Sequence, residues 1–368
     1  MKKKNLCKTL LKIIGIVLGI LILVLLAYIV YLYASYYRLE DNQELVVEAP
    51  VDDTATGANA VLSTDTEYSA LTYNIGFGAY LPDYSFFMDG GTSSWAESPE
   101  TVQYAINGVG ELVSSLEPDF ALIQEIDLDS TRSYHTNEYE MLRQSLSGYT
   151  TVFAQNYDSA FLFYPFTQPH GSSKSGLGLF SKYPVSSALR RSFPISTSFS
   201  KFFDLDRCYS VSRIPVDNGK ELVIFNLHMS AYGNSDAIRK GQIEMLCNDM
   251  AKEYKAGNYV LCGGDFNHDL KASEEDTESC ESWAFPFPRT ELPEHFAFCL
   301  DLLTDEERTA LWNSARNADM EYVPGVTYTV TLDGFIISDN IECLSYENVN
   351  TGYSYSDHDP VVVKFVLK

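Results

Sequence analysis

Two polar clusters at the ends of apolar, strand-like runs place the strongest constraint on the fold of this chain. The run Tyr259–Cys262 leads into Gly263-Gly264-Asp265-Phe266-Asn267, and Ser356-Asp357-His358-Asp359-Pro360 precedes the apolar run Val361–Val366. The backbone of a sheet stops at such points, so side chains from different strands can converge there on one ligand. We therefore predict that both clusters belong to one active site and that the chain is an enzyme.

Strand-like runs alternate with helical stretches along the chain after about residue 68. About 300 residues are ample for one domain with a large core. The alternation is compatible with an α/β domain, but periodicity alone does not choose among α/β architectures. The predicted strands are Ala70–Ile75, Phe120–Gln124, Gly176–Phe180, Glu221–Leu227, Tyr259–Gly263 and Phe335–Ser338, and two predicted helices are Thr101–Leu116 and Ala237–Tyr254.

Six short motifs follow one another between residues 68 and 368. They are Thr72-Tyr73-Asn74, Gln124-Glu125, Gly176-Leu177-Gly178-Leu179-Phe180-Ser181-Lys182-Tyr183-Pro184, Asn226-Leu227-His228, Gly264-Asp265-Phe266-Asn267 and Ser356-Asp357-His358. In this order the chain resembles the endonuclease/exonuclease/phosphatase superfamily, which groups pancreatic-type deoxyribonucleases, abasic-site endonucleases, neutral sphingomyelinases and inositol polyphosphate phosphatases. The resemblance implies a four-layer α/β (α+β) sandwich of two mixed β-sheets with helices outside. A weaker seventh motif, Leu332–Ser338, follows Thr331, where the family usually has a basic residue.

The resemblance also implies a metal-dependent phosphoric ester hydrolase. Glu125 would be the main ligand of Mg²⁺, with Mn²⁺ as the alternative ion, and Asn74 and Asp357 would lie beside the metal. Asn74 would also contact the substrate. The ester would be cleaved by direct attack of metal-associated water.

Five residues would carry the catalytic steps. Asp265 would orient or deprotonate the attacking water, and Asn267 and His228 would bind the phosphate. His358 would be the imidazole at the scissile phosphate, and Asp333 would fix its tautomer and stabilise its cation.

Two arginines are further candidates for substrate binding. Arg207 precedes the His228 strand, where the family often carries a basic residue. Arg132 follows Glu125 closely and would bind a second substrate phosphate, although a surface loop explains it equally well.

The N-terminal segment has the pattern of a membrane span. Five lysines precede Ile13–Tyr37, a stretch of about 25 residues without a charge, which is enough to cross a bilayer as a helix. A cleaved secretory signal would have a shorter apolar region ending in small residues, whereas this one ends in tyrosines. We predict a single-pass protein of the cell membrane. Its parts would be a cytoplasmic tail (1–12), a membrane helix (13–37), an acidic spacer (38–67) and an extracellular catalytic domain (68–368) with an insertion at about 271–322.

The formal net charge of −24 lowers the expectation of a nucleic-acid substrate. A lipid head group or a small phosphorylated metabolite suits an acidic, membrane-attached enzyme better, although an acidic surface also serves solubility alone. Two alternatives stay open: a surface-attached nuclease, and a non-catalytic binding module on the same fold. We expect a monomer. Cys280 and Cys299 lie in the insertion and could pair in an oxidising compartment, but the sequence leaves their disulfide state open.

Overall fold

The computed structural model describes residues 2–52, 61–231, 236–273 and 284–368, and the chain separates into two units, Met1–Arg38 and Leu39–Lys368. The first unit contains helix α1 (Lys2–Ser35). Within its segment Leu6–Ser35, a window of 18 residues has a mean hydropathy of 3.2, and the segment is long enough to cross a bilayer. The predicted membrane helix therefore coincides with a continuous apolar helix.

The second unit contains the other helices and the strands of the described residues. The helices are α2 (Pro99–Leu116), α3 (Glu138–Ser145), α4 (Asp236–Lys255) and α5 (Asp305–Ala310). The strands are β1 (Gln43–Glu44), β2 (Val47–Glu48), β3 (Glu67–Asn74), β4 (Phe120–Asp127), β5 (Thr150–Asp158), β6 (Lys174–Ser181), β7 (Ser187–Ser192), β8 (Cys208–Pro215), β9 (Glu221–His228), β10 (Tyr259–Asp265), β11 (Phe296–Phe298), β12 (Ala315–Arg316), β13 (Thr329–Val330), β14 (Asp333–Ser338), β15 (Ile341–Asn348) and β16 (Val361–Leu367).

Two mixed seven-stranded sheets form the centre of this unit. The first has the order β1-β7-β8-β9-β10-β14-β11, and the second has the order β15-β16-β3-β4-β6-β5-β2. In each sheet one central pair is parallel, β9 with β10 and β3 with β4, and the neighbouring pairs are antiparallel. Strands β12 and β13 pair separately.

Local sequence explains how helix α2 begins, which face it buries and where it ends. Ser98 caps its first turn by accepting a hydrogen bond from the Thr101 backbone N–H, and Pro99 fits the first helical position. Val102, Ile106, Val109 and Val113 recur at helical spacing and are buried, so the helix presents one apolar face. It ends at Glu117, a left-handed residue that precedes Pro118.

The hydrophobic core lies between the facing sheets and continues under the helices. Residues such as Leu122 of β4 and Leu261 of β10 belong to one buried cluster, which also contains Leu246 of α4. A second cluster joins the outer face of the second sheet, for example Ile123, to α2 and α3. The predicted four-layer α/β sandwich is confirmed: helix α4, two sheets, and the pair α2 and α3.

The structure differs from the predicted spacer in one respect. Strands β1 and β2 pair with β7 and β5 at the edges of the two sheets, so residues 43–48 belong to the folded unit. Their backbone groups satisfy sheet edges that would otherwise be exposed. Cys280 of the predicted disulfide lies outside the described residues, while Cys299 is a buried free cysteine.

Candidate active site

The predicted site residues converge at one edge of the two sheets. Asp265 lies opposite His228 in the parallel β9–β10 pair and opposite Asp333 in the antiparallel β10–β14 pair. Asn74 ends β3, and the loop before β16 returns to the same edge because β16 runs antiparallel to β3. A cavity of about 310 Å³ opens there. The predicted residues that line it are Asn74, Glu125, Arg132, Arg207, His228, Asp265, Asn267, Asp357 and His358.

His358 is held by a buried carboxylate. Its Nδ1 lies 2.7 Å from Asp333 Oδ2, and Ser314 Oγ donates to the same oxygen at 2.7 Å. Burial works against a charged imidazole, but the Asp333 charge and hydrogen bond outweigh it and raise the pKa of His358 well above its usual value. Asp333 is fully buried and does not line the cavity, so the predicted pairing is present and His358 alone faces the ligand space.

Asp265 lies next to both histidines. Its Oδ1 accepts a hydrogen bond from the Asn267 backbone N–H at 2.8 Å, and its Oδ2 accepts one from Asn74 Nδ2 at 3.1 Å. Burial, with the nearby Asp333 charge, raises the pKa of Asp265 to about 7, against the opposing charge of His358. A carboxyl group with this pKa exchanges a proton readily near neutral pH.

His228 has the opposite charge preference from His358. Its Nε2 is 3.5 Å from Asp265 Oδ2 and 3.8 Å from Glu125 Oε1, and its buried Nδ1 has no hydrogen-bond partner among the described residues. Burial, followed by the positive charges of Arg207 and His358, lowers the pKa of His228 well below its usual value. These two imidazoles therefore favour different protonation states, His228 the neutral form and His358 the cationic form.

Glu125 lies where the regular pairing between β4 and β6 is interrupted. The pairing of β4 with β6 is irregular between Ile123 and Ile126, and Glu125 has a left-handed backbone with φ of 56°. Bulges of this kind redirect a side chain beside active sites. Glu125 Oε1 accepts a hydrogen bond from Asn74 Nδ2 at 3.1 Å.

The loop before β16 brings Asp357 to the same side of the cavity. Ser356 Oγ donates to the Asn74 carbonyl at 2.8 Å, which joins this loop to β3. Gly76 has φ of 52°, and a Cβ there would lie 2.7 Å from the Tyr80 ring and 3.2 Å from Asp357 Oδ1, so only glycine fits.

The carboxylates of Glu125 and Asp357 form a donor set that suits a hard divalent cation. Burial raises the pKa of Asp357, and the Glu125 carboxylate adds to the effect, while His358 and Arg316 oppose it. Glu125 and Asp357 thus place two mutually repelling carboxylates in one cavity. Carboxylate oxygens are the donors that Mg²⁺ and Mn²⁺ prefer. Asp265, Asp333 and His358 form another group with ligand atoms within 4.8 Å of one another, but Asp333 Oδ2 is already engaged by His358 and Ser314.

The two predicted substrate arginines differ in what they already bind. Arg132 pairs with Asp127 through Nε at 3.1 Å and a terminal nitrogen at 2.8 Å, and its guanidinium lies 3.7 Å from the Phe77 ring centroid. Arg207 is also buried, but its Nε and one terminal nitrogen have no hydrogen-bond partner among the described residues, and the Asp204 carboxylate is 3.9 Å from Nε. Arg207 therefore retains donors for an anionic ligand, whereas the charge of Arg132 is largely used inside the protein.

Three residues that the sequence did not single out complete the site. His170 lines the cavity, its buried Nδ1 has no hydrogen-bond partner in the part of the chain that the structure describes, and burial lowers its pKa to about 4. Arg316 donates to the carbonyls of Leu81 and Asn317 and so holds two wall segments together. Ser314 accepts from the Asp333 backbone N–H while donating to its side chain. His170 and Ser314 lie outside the regular elements, and Arg316 lies in the two-residue strand β12; none of these segments has a periodic pattern, so nothing in the sequence marked them.

Gln124 and Asn226 of the matched motifs lie below the cavity. Gln124 Nε2 donates to Asn226 Oδ1 at 2.8 Å, and Asn226 Nδ2 donates to the Gly178 carbonyl at 3.0 Å. These fully buried hydrogen bonds connect the two sheets and fix their relative position directly under the catalytic edge.

Comparison with known proteins identifies the class to which this fold and site belong. The sequence model of the endonuclease/exonuclease/phosphatase family matches residues 71–303, and the chain belongs to this family. Its members are phosphoester hydrolases. Comparison with the curated proteins gave no match.

Several solved structures share the fold at low sequence identity. An endonuclease/exonuclease/phosphatase from Beutenbergia cavernae superimposes with a TM-score of 0.57 at 16% identity, over 82% of this chain and 72% of that chain. TDP2 of D. rerio, complexed with a single-stranded DNA product, gives 0.54 at 14% identity, over 82% and 99%. ANGEL2, a 2',3'-cyclic phosphatase in complex with adenosine-2',3'-vanadate, gives 0.56 at 12% identity, over 82% and 96%. At these identities the likeness concerns the fold.

Proposed function

We propose that the protein is a membrane-anchored, extracellular, magnesium-dependent phosphoesterase that hydrolyses a phosphodiester or phosphomonoester. The observation that carries the proposal is the hydrogen-bonded pair of Asp333 and His358 next to Asp265, in the cavity that Glu125 and Asp357 share. Residues that can supply positive charge, a base and metal ligands thus face a single space, as phosphate-ester hydrolysis requires.

Glu125, Asp357 and Asn74 would hold Mg²⁺ or Mn²⁺, which supplies positive charge for the non-bridging oxygens of the phosphate. Asp265 Oδ2 would accept the proton of the attacking water, held in place by its bonds from Asn267 and Asn74. His358, kept cationic by Asp333, would donate a hydrogen bond from Nε2 to a phosphate oxygen. His228 would donate to another oxygen as a neutral imidazole, and Arg207 would bind a further anionic oxygen of the substrate.

Acidic side chains at the mouth disfavour a long polyanion. Asp89, Asp204 and Asp319 all line the cavity, and nucleic-acid sites instead carry clusters of Lys and Arg. A lipid head group or a small phosphorylated metabolite is the substrate class that this charge distribution supports, and the nuclease is the alternative.

The test compares wild type with His358→Ala, using the full chain in detergent micelles. Substrates are bis(p-nitrophenyl) phosphate, p-nitrophenyl phosphate, sphingomyelin and duplex DNA, each with magnesium and with EDTA. The matched control is His295→Ala, because His295 is exposed and pairs with Asp339 outside the cavity. Magnesium-dependent turnover that survives in the control but is lost in His358→Ala supports the proposal. A folded wild type without turnover and without magnesium binding in calorimetry would favour the binding module.

A further inference from the structure

A loop whose residue His170 lines the cavity exposes a group of aromatic rings that the proposed chemistry does not use. The loop spans residues 162–171 and is closed at its base by two backbone hydrogen bonds between Leu162 and Gly171. At its tip, Phe166 is 85% exposed and Tyr164 is 62% exposed, and Phe163 is also exposed. Single exposed apolar residues are ordinary, but several large rings on one tip mark an interaction surface.

The loop is held firmly on the body of the protein. Trp95 Nε1 donates to the Pro169 carbonyl at 2.7 Å, and Ser94 Oγ donates to the Gln168 carbonyl at 2.6 Å. These bonds fix residues 168–169, which follow the tip of the loop. The rings are therefore presented in a defined position, so little conformational entropy is lost when they bind a partner.

The same loop forms part of the cavity wall. His170, at its base, lines the cavity, and the Tyr164 ring lies 5.8 Å from the Phe87 ring, which in turn lies 5.9 Å from His170. Whatever binds the aromatic tip is thus brought next to the opening of the site. Met88, which follows Phe87, lines the cavity and is exposed as well.

A second aromatic group borders the same opening. Phe203 lines the cavity and is partly exposed, and its ring lies 5.6 Å from the ring of the exposed Phe199. Aromatic side chains of two separate segments, residues 162–171 and 199–203, therefore lie next to residues that line the cavity.

The charge pattern of this surface points to a bilayer. Residues 159–173 contain no Asp, Glu, Lys or Arg, although 21% of the chain is charged. Phe and Tyr rings on an uncharged tip fit the boundary between lipid head groups and acyl chains, where aromatic residues are enriched. The acidic residues around the cavity suit a zwitterionic or neutral lipid surface better than an anionic one.

We propose that the 162–171 loop, together with Phe199 and Phe203, inserts into the surface of a lipid bilayer, so that the cavity receives the phosphate-ester head group of a bilayer lipid. This rests on the proposed function for the hydrolysis of that head group, but the docking itself does not depend on activity. The apolar helix α1 is independent support, since it is long and apolar enough to keep the chain at a membrane.

The first experiment measures docking without any enzymatic readout. The full chain is reconstituted in phosphatidylcholine vesicles, and Phe166→Trp is compared with Leu344→Trp for quenching by doxyl-labelled phosphatidylcholine, after subtraction of the wild-type signal. Leu344 is a matched exposed apolar position on β15, in the irregular pairing between Cys343 and Ser345, and it does not line the cavity. We expect quenching and a blue-shifted emission only for the tryptophan at position 166. Equal quenching at the two positions would overturn the proposal.

The second experiment separates docking from catalysis. Phe163→Ser/Phe166→Ser is expected to raise the KM for lipid presented in vesicles by at least about tenfold, because buried aromatic area is lost. The KM and kcat for bis(p-nitrophenyl) phosphate should stay unchanged, as should both activities of Leu344→Ser. Equal loss on both substrates, or no loss on either, would show that the loop does not dock on lipid. A wild type that is quenched in the first experiment but hydrolyses nothing would instead leave docking intact and refute the proposed function.

Discussion

The floor and the mouth of the cavity are made of different kinds of side chain. On the floor, Asp265, His228 and His358 are buried and set one another's charge, whereas Tyr164 and Phe166 are exposed on the loop that reaches the cavity at His170, called the mouth below. A buried charged group is stabilised by its charged and polar neighbours. Removing one partner leaves the other charge buried without compensation. An exposed ring depends on few contacts. We therefore expect floor substitutions to change chemistry or stability strongly, and mouth substitutions to change only access from a surface.

The largest effect is expected for Asp265→Asn. Loss of the group that accepts the water's proton should lower kcat on bis(p-nitrophenyl) phosphate by about 10² to 10⁴-fold, with the fold retained. Steady-state kinetics in saturating magnesium measure this, with the fully exposed Asp305→Asn as control. A kcat within about threefold of wild type would assign the base to another residue.

Arg132→Met tests whether the predicted substrate arginine is instead structural. Removing its guanidinium leaves Asp127 buried without its charge partner, which should cost about 3 to 5 kcal/mol of the free energy of unfolding. Urea unfolding followed by tryptophan fluorescence measures this in detergent. The control is Arg143→Met on α3, whose more exposed pairs with Glu48 and Glu140 should cost less than about 1 kcal/mol. Similar losses in both variants would contradict the distinction.

Arg207→Gln should act on substrate binding rather than on stability. Arg207 lines the cavity and has two nitrogens without a hydrogen-bond partner among the described residues, so its loss should raise KM about tenfold while kcat changes little. Arg213→Gln is the matched control, because Arg213 pairs with Glu221 and Glu253 and does not line the cavity. An unchanged KM for Arg207→Gln would remove this residue from the substrate site.

Glu138→Gln tests, through the pH dependence of stability, whether burial disfavours the charged form of the Glu138 carboxyl group. Glu138 accepts a hydrogen bond from the Asp127 backbone N–H, and burial, with the Asp127 charge, raises its pKa well above the usual value. The folded state thus binds this proton more tightly than the unfolded state, so the group costs stability as pH rises above its unfolded pKa. The variant should be more stable than wild type at pH 8, and the difference should shrink toward pH 4. Urea unfolding at both pH values checks this; the opposite sign would show that Glu138 is stabilised as an anion.

The smallest effect is expected at the mouth. Phe166→Ser should change the free energy of unfolding by less than about 0.5 kcal/mol, since the ring is exposed. Phe298→Ala, in the core against Phe266 and Phe287, should cost about 3 to 5 kcal/mol in the same assay. A large loss in Phe166→Ser would mean that the tip supports the fold rather than a surface interaction.

Much of the scaffold could be predicted from the sequence. The six strands expected from apolar runs are present and mostly longer than predicted, as in Tyr259–Asp265, and both helices lie within two residues of their expected bounds. Buried central strands are marked by continuous apolar residues, and Ser98, Pro99 and Pro118 mark the ends of α2. The short edge strands β1 and β2 were not recognised, because two-residue pairing has no periodic signal.

The candidate site likewise combines residues that the sequence predicted with features that it did not indicate. Ordered motifs led to Asp265, Asp333 and His358, whose proximity follows from strand ends meeting at one edge. The sequence did not indicate the bulge that redirects Glu125, the Asp127 partner that engages Arg132, or the arrival of His170 at the cavity from an irregular loop.

The alternation of elements, the apolar N-terminal helix and the polar residues at strand ends can be predicted without a structure, because they depend on local periodicity and on neighbours along the chain. The opposite pKa shifts of His228 and His358, the donors of Arg207 without a partner among the described residues, and the exposure of particular aromatic rings emerge only in the folded chain. Those properties depend on burial and on partners far apart in sequence, such as Asp333 beside His358 and Phe87 beside Tyr164.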